Sequence, residues 1–238
     1  MRVTNMLHMS KTSKLDNIRS WSLQALTTCP GSIAEDGGLV DPCKGCYATQ
    51  GTYHFPMVKK VRAENQEDWQ RDEWVADIVE VLKKEKYFRW FDSGDMYSLK
   101  LARKMLAVMK ATPSVKHWLP TRMYKFPKFQ KIIAEMNSLP NVAVRNSSDS
   151  VMGEFTPGLH GSTILPTEHV PDGITLCTAY QNGGKCSGCR NCYDKTIKVI
   201  GYPQHGRAMK KIIMMKLSRE SRHISVRRIT NFEKLEIL

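Results

Sequence analysis

Tyr87-Phe88-Arg89-Trp90-Phe91-Asp92-Ser93-Gly94-Asp95 is the stretch that decides the fold. An aromatic, β-favouring run passes into small polar residues, the pattern of a short strand that delivers polar side chains at its C-terminal end. Ser98–Ala111 follows with Leu99, Ala102, Met105, Leu106 and Met109 at helical spacing. The alternation recurs downstream, as a strand at Val115–Leu119, a helix at Phe126–Asn137 and a strand at Val142–Arg145; Met152–Gly173 then reads as an irregular connection, Met209–Leu217 as a terminal helix and the stretch near Ile224–Ile229 as a strand. Upstream, Ser20–Leu26 reads as a strand or extended entry and Thr28–Pro56, rich in Gly, Pro, Asp and Cys, as loop. Val58–Lys86 reads as helical, with Trp69, Trp74, Val75, Ile78, Val79 and Leu82 on a buried stripe. Repeated strand-then-helix units predict an α/β protein with a parallel sheet, a partial or closed β/α barrel.

Active residues of parallel sheets collect where strands end at their carboxyl side. That rule nominates Asp92, Ser93, Gly94 and Asp95, then Thr121 and Arg122, then Arg145, Asn146, Ser147 and Ser148. Asp92 and Asp95 are the catalytic candidates, with helix N-capping as the plain alternative. Ser93, Gly94, Asp95, Arg122, Arg145 and Ser147 are candidates for holding a small cofactor, the arginines by forking onto a carboxylate or phosphate. His54 and His117 read as satisfied core or core-edge histidines, the methionines as packing, and Trp69 and Trp74 as core anchors.

Seven cysteines fall in two groups. Cys177, Cys186, Cys189 and Cys192 occupy sixteen residues, three of them at successive two-residue intervals among glycines, which packing does not explain. A lone tetrahedral zinc needs its sulfurs about 3.8 Å apart and usually takes them from separate knuckles. A cubane spreads its iron corners, so consecutive cysteines favour [4Fe–4S]; zinc stays as the alternative, with His169 or His205 able to replace a sulfur. Cys29, Cys43 and Cys46 form the other group, three ligands that leave one iron of a cluster open, or a catalytic zinc with a solvent position. Three unligated thiols, or one site drawing on both groups, are the remaining readings. The expectation is one or two [4Fe–4S] clusters.

Lys and Arg exceed Asp and Glu by 36 to 23, a net charge of +13, within an ordinary globular composition of 41% hydrophobic and 25% charged residues. Tyr193–Leu238 holds eleven Lys/Arg against four Asp/Glu, so this basic C-terminal region would attract nucleic acid, or simply stay solvated. No apolar run is long enough to span a bilayer, and the N-terminus carries no secretory h-region, so a cytoplasmic location and no membrane partner are expected. A reducing compartment also favours metal ligation over disulfides.

Trp21-Ser22-Leu23, Cys29-Pro30-Gly31, Cys43 through Ala48, Ser93-Gly94-Asp95 and Gly184 through Cys192, in that order, resemble a bacteriophage gene-product family with paired Cys motifs. The resemblance spans most of Trp21 to Tyr193 and implies a phage origin, hence the cytoplasm of an infected host cell. More distantly, the Cys-rich loop after the first strand and the glycine-bearing strand end are similar to the radical S-adenosylmethionine enzymes. That similarity implies an open-site cluster, S-adenosylmethionine as a small-molecule cofactor, and an auxiliary cluster on the second group. Thirteen residues separate Cys29 from Cys43, where that superfamily uses C-x3-C-x2-C. The Asp-Ser-Gly element also resembles the base-binding segment of tRNA- and DNA-guanine transglycosylases, zinc-dependent base-exchange glycosyltransferases in which Asp92 or Asp95 would meet the purine. A zinc-stabilised nucleic-acid-binding or host-interaction protein is the non-enzyme alternative. The expected organisation is a β/α barrel-like core with its Cys loop over 1–160, and a Cys-rich C-terminal extension with the basic region over 161–238.

Overall fold

The computed structural model describes residues 7–167 and 169–219. A single sheet of eight strands runs through it in the order β1-β2-β3-β4-β5-β6-β8-β7. β1 (Ser10–Thr12) is antiparallel to β2 (Ile18–Trp21). β3 (Tyr87–Trp90), β4 (Lys116–Thr121), β5 (Val142–Ser147), β6 (Gly161–Leu165), β7 (Ile174–Leu176) and β8 (Val199–Pro203) continue it in parallel. β1 and β7 stand at opposite ends with no ladder joining them among the described residues, so the sheet is an open α/β arrangement and closure is not seen.

Helix α1 (Asp41–Lys44) lies in the first cysteine loop. The single helical stretch expected over Val58–Lys86 is two helices, α2 (Pro56–Asp68) and α3 (Trp74–Leu82). The break has a cause: Lys104 donates to the carbonyls of Trp69, Gln70 and Arg71, a cation on the orphan acceptors at the end of α2. α4 (Leu99–Ala111) starts at Ser98, whose hydroxyl accepts from the Lys100 amide, and α5 (Pro127–Ser138) starts on a proline preset for the first turn. A final helix, α6, covers 207–219. Within Met152–Gly173, expected to be irregular throughout, the chain forms β6; a run of Gly-Ser-Thr gave little periodicity to read. The strand expected near Ile224–Ile229 lies outside the described residues.

Strand alternation divides the side chains between two faces. Phe88, Trp90, Leu119, Val142 and Val144 point into one apolar core with Trp21, Trp74, Ile78, Leu101, Met105 and Phe129 from the helices and β2. Tyr87 and Trp118 point the other way, against Leu15, Ile18 and Tyr193. From β2 to β6 each strand adds on the same side of its predecessor, and right-handed crossovers put α2–α5 on the first face. β7 lies beyond β8, so the step from β7 to β8 reverses direction and its crossover must pass over the opposite face. That crossover, 177–198, carries the second cysteine group. The Cys-rich segment is therefore a connection inside the sheet, and the extension expected after residue 160 supplies β6, β7 and β8 of the same sheet.

Candidate functional site

The first cysteine loop leaves β2 and returns across the carboxyl ends of the strands. Its attachment is the corner after β3. Trp21 and Ser93 carbonyls accept from the Phe91 and Leu23 amides, and the Thr28 carbonyl accepts from the Asp95 amide. Ser93 Oγ donates to the Leu23 carbonyl at 2.6 Å. Gly94 has φ +83° and lies so close to the loop that a Cβ would stand 2.6 Å from Leu23 Cβ, which requires glycine. Phe91 and Leu26 take positive φ without being glycine, so backbone strain concentrates where corner and loop meet. The Asp-Ser-Gly-Asp element is thus the seat of the loop that carries Cys29.

Asp95 is fully engaged: Oδ1 accepts from Thr121 Oγ1 (2.7 Å) and the Met96 amide (2.8 Å), and Oδ2 from the Arg122 amide (2.8 Å). Burial pushes its pKa up despite these donors. Asp92 is committed as well, to Arg89 (3.0 Å), Arg62 (3.5 Å) and the Tyr53 hydroxyl. Both candidate catalytic carboxylates hold their neighbours in place.

Cys29, Cys43 and Cys46 are brought close enough for Cys29 to feel both others electrostatically, with Asp95 beside Cys29 and Arg122 beside Cys43 and Cys46. Burial raises all three thiols, Cys29 to about 12 with the Asp95 carboxylate adding to the rise. A metal cation inverts that balance, because a coordinating thiol gives up its proton. Arg122 is fixed by Asp149 Oδ1 (3.1 Å) and the Ser148 carbonyl (2.9 Å), and Lys125 by Asp149 Oδ2 (2.6 Å) and the Gly31 carbonyl (3.2 Å). A Cβ on Gly31 would lie 2.5 Å from Arg122 Cβ, so the second glycine the site requires lets loop and strand end touch. Helix α6 packs on the same loop: Ile212 and Met209 lie against Gly45, and Lys216 pairs with Asp41 at 2.5 Å.

The second group is built differently. Cys177, Cys186, Cys189 and Cys192 line one small pocket of about 20 Å³ with Leu15, Leu176, Tyr193 and Ile200. Arg145, named among the cofactor-binding candidates at the strand ends, sits here. Its buried guanidinium donates to the carbonyls of Asn191 (2.9 Å), Cys192 (3.3 Å), Asp194, Ile197 and Lys198, stapling the crossover to β5. Burial and the nearby Tyr202 hold Cys192 at about 11, the first raising it and the second lowering it. Asp16 accepts from the Gly188 amide and Arg190, closing the loop from the β1–β2 turn. Ser147 offers only its carbonyl, to Tyr124. Of the two histidines named as spare ligands, His205 lies against the Tyr180 ring (4.4 Å) and His169 is exposed.

All seven cysteines are free thiols, and among the described residues no group of three or more His, Cys, Asp or Glu side chains is set to hold a metal ion. The fold gathers the sulfurs into two groups without closing either into a coordination sphere. Sequence reasoning missed Tyr53, which bonds Asp92, and Arg89, Tyr47 and Tyr202: Tyr202 meets Cys192, and Arg89 meets Tyr47, the neighbour of Cys46. The signal was present: Arg89 is the one charged residue inside an aromatic strand, on the parity opposite to Phe88 and Trp90.

No curated protein and no solved structure matches the chain. A family model described as gene product 88 matches residues 4–164, agreeing with the bacteriophage gene-product resemblance read from the motifs. The match takes in Cys29, Cys43, Cys46 and the corner after β3, and ends before Cys177.

Proposed function

The chain belongs to the gene product 88 family, and for it we propose an iron–sulfur protein of radical S-adenosylmethionine type, with an open-site cluster on Cys29, Cys43 and Cys46 and an auxiliary cluster on Cys177, Cys186, Cys189 and Cys192. The observation that carries the reading is placement. Cys29, Cys43 and Cys46 lie within electrostatic reach of one another on the loop after β2, at the carboxyl edge of a parallel sheet, with the Gly94 corner under the loop and Arg122 acting on Cys43 and Cys46. The residues fit the group: three soft donors suit iron or zinc, and a three-cysteine set leaves a ligand position for a chelating small molecule. A bound cluster would supply that open iron and a one-electron couple.

The chain's own residues do the rest. Asp95 and Ser93 fix the loop, Arg122 and Lys125 set positive charge beside the thiolates, and Arg145 fixes the second loop. Asp92 and Asp95, having every oxygen engaged, leave no free carboxylate for base exchange, which weighs against the transglycosylase alternative. A nucleic-acid substrate is proposed from one further contact: α6, seated on the first cysteine loop, carries Arg207, Lys210, Lys211, Met214 and Met215 along one face. Salt-dependent retention of single- and double-stranded oligonucleotides tests it.

The deciding experiment is anaerobic purification with iron, sulfide and zinc analysis, an absorption spectrum, and an assay for reductive cleavage of S-adenosylmethionine. A brown protein with about eight iron and eight sulfide that cleaves S-adenosylmethionine supports the proposal. Colourless protein with zinc overturns it in favour of the zinc-stabilised nucleic-acid-binding reading, or of guanine transglycosylation if labelled guanine is also incorporated.

A further inference from the structure

Between the two cysteine groups runs a line of side chains that starts at Cys192 and ends at Tyr47, the neighbour of Cys46. Tyr202, on β8, places its hydroxyl 3.4 Å from Cys192 Sγ. Arg89, on β3, donates from Nη2 to the Tyr47 hydroxyl at 3.3 Å and from Nη1 to Asp92 at 3.0 Å, and Tyr47 follows Cys46 directly in the chain. The guanidinium lies over the Trp118 ring at 4.6 Å, its side chain only 13% exposed, and it acts electrostatically on Tyr47, Tyr202 and Cys192. Its Nε has no partner among the described residues. Arg62 shares Asp92 with it, so the Arg62–Asp92–Arg89 trio stays net cationic.

A methionine at position 89 would cover Trp118 equally well, without the desolvation that a guanidinium suffers there. What the guanidinium adds at position 89 is its charge. A thiolate bound to metal has no proton, so the Tyr202 phenol must be the donor in its contact with Cys192.

We propose that Arg89 and Tyr202 couple the two cysteine groups, so that loading one group changes how firmly the other holds its metal. The proposal rests on the reading that both groups bind metal. The physical link is a cation that acts on Cys192 directly and reaches the first group through its hydrogen bond to Tyr47, the neighbour of Cys46, so a change of charge at either end is felt at the other. Tyr202 extends the link by a hydrogen bond that favours the anionic form of Cys192. Arg89 and Tyr202 are positioning residues in this scheme, since they act through the ligands.

The test is release of metal to a chelator from anaerobically purified full-length protein, whichever metal it carries. Cys189→Ser or Cys43→Ser disables one group so that the other is read alone. Tyr202→Phe is expected to speed release from the second group about 10-fold, the low end of the effect of losing a ligand's supporting bond, and to leave the first unchanged. Arg89→Met is expected to speed both, with Arg89→Lys restoring part. The coupling itself appears in a double-mutant cycle: Cys189→Ser changes first-group release when Arg89 is present, and not in Arg89→Met. If the group holds iron, Arg89→Met also lowers its midpoint potential, which a merely structural role would not do. A circular dichroism spectrum unchanged from wild type excludes misfolding of the variants. Wild-type protein without metal overturns the functional reading and this one with it. Loaded wild-type protein whose two substitutions act independently on the first group overturns the coupling alone.

Discussion

The two faces of this sheet use the same strands and opposite chemistry. On the helical face Trp21, Trp74, Trp90, Phe88, Met105 and Phe129 pack without solvent, and the aromatic rings meet edge to face, as Trp21 and Trp74 do at 5.1 Å. On the other face the covering segment, 177–198, has one short 3-10 turn over Asn191–Tyr193 and four thiols; it rests on a small apolar patch through Tyr193 and is held by the buried Arg145 of β5. One face is stabilised by area removed from water. The other depends on hydrogen bonds from Arg145 and, on the proposed function, on an ion joining its sulfurs, so the difference assigns stability to the first and, on that reading, conditional order to the second.

Trp21→Ala, the largest effect expected, attacks the first face where it is densest. Loss of a fully buried indole that touches Trp74, Trp90 and Phe91 should cost about 3–5 kcal/mol, read as a lower urea midpoint, while the folded fraction keeps its wild-type metal content. Arg145→Met is its counterpart on the second face. Removing the donor to the carbonyls around Cys192 should cost about 3 kcal/mol, and the damage should be local. Limited proteolysis should cut within 177–198 while the near-ultraviolet tryptophan signal persists. A cut in the helical region instead would erase the distinction between the faces.

His117 sharpens the comparison through pH, because it is a titratable group inside the apolar face. Trp90 Nε1 donates to its Nδ1 (3.2 Å), so the imidazole proton is on Nε2, toward Thr112 Oγ1 (2.9 Å), whose own hydrogen goes to the Val108 carbonyl. Burial holds its pKa down to about 3, against 6.5 for the free side chain. The unfolded chain therefore binds this proton first: stability from His117 is complete above about pH 6.5 and is lost as pH falls toward 3, by about 1.4 kcal/mol per pH unit. Urea midpoints should fall little between pH 7 and 6 and more steeply between 6 and 5 as the full slope is reached, and His117→Gln should flatten the fall.

Legibility followed the same division. The strand–helix alternation from Tyr87 to Arg145 could be read because apolar residues recur at spacings that match burial on the helical face. His117 was readable as a satisfied core histidine for that reason. The open edge of the sheet and β6–β8 were not, since short strands such as Ile174–Leu176 carry too little periodicity and their place depends on pairing with distant chain. The cysteine groups were visible from spacing alone. Arg145 was read as a strand-end residue facing a small cofactor; parity, one residue after Val144, puts its side chain on the face that carries the second cysteine group.

Asp149 carries the smallest stability effect and separates the first cysteine group from both faces. Its carboxylate pairs with Arg122 and Lys125 while 37% exposed, so Asp149→Asn should cost less than about 1 kcal/mol in the urea midpoint. Its effect on the thiols has the opposite sign. Asp149 raises the Cys43 pKa and the two cations lower it, so removing the negative charge leaves the cations to act on the thiolates unopposed. Metal in the first group should then be released more slowly, by about threefold for an electrostatic gain near 0.6 kcal/mol, with the second group unaffected. Faster release from the first group would mean that Asp149 matters as the clamp that holds Arg122 in position, and that the geometry of the arginine outweighs the local charge.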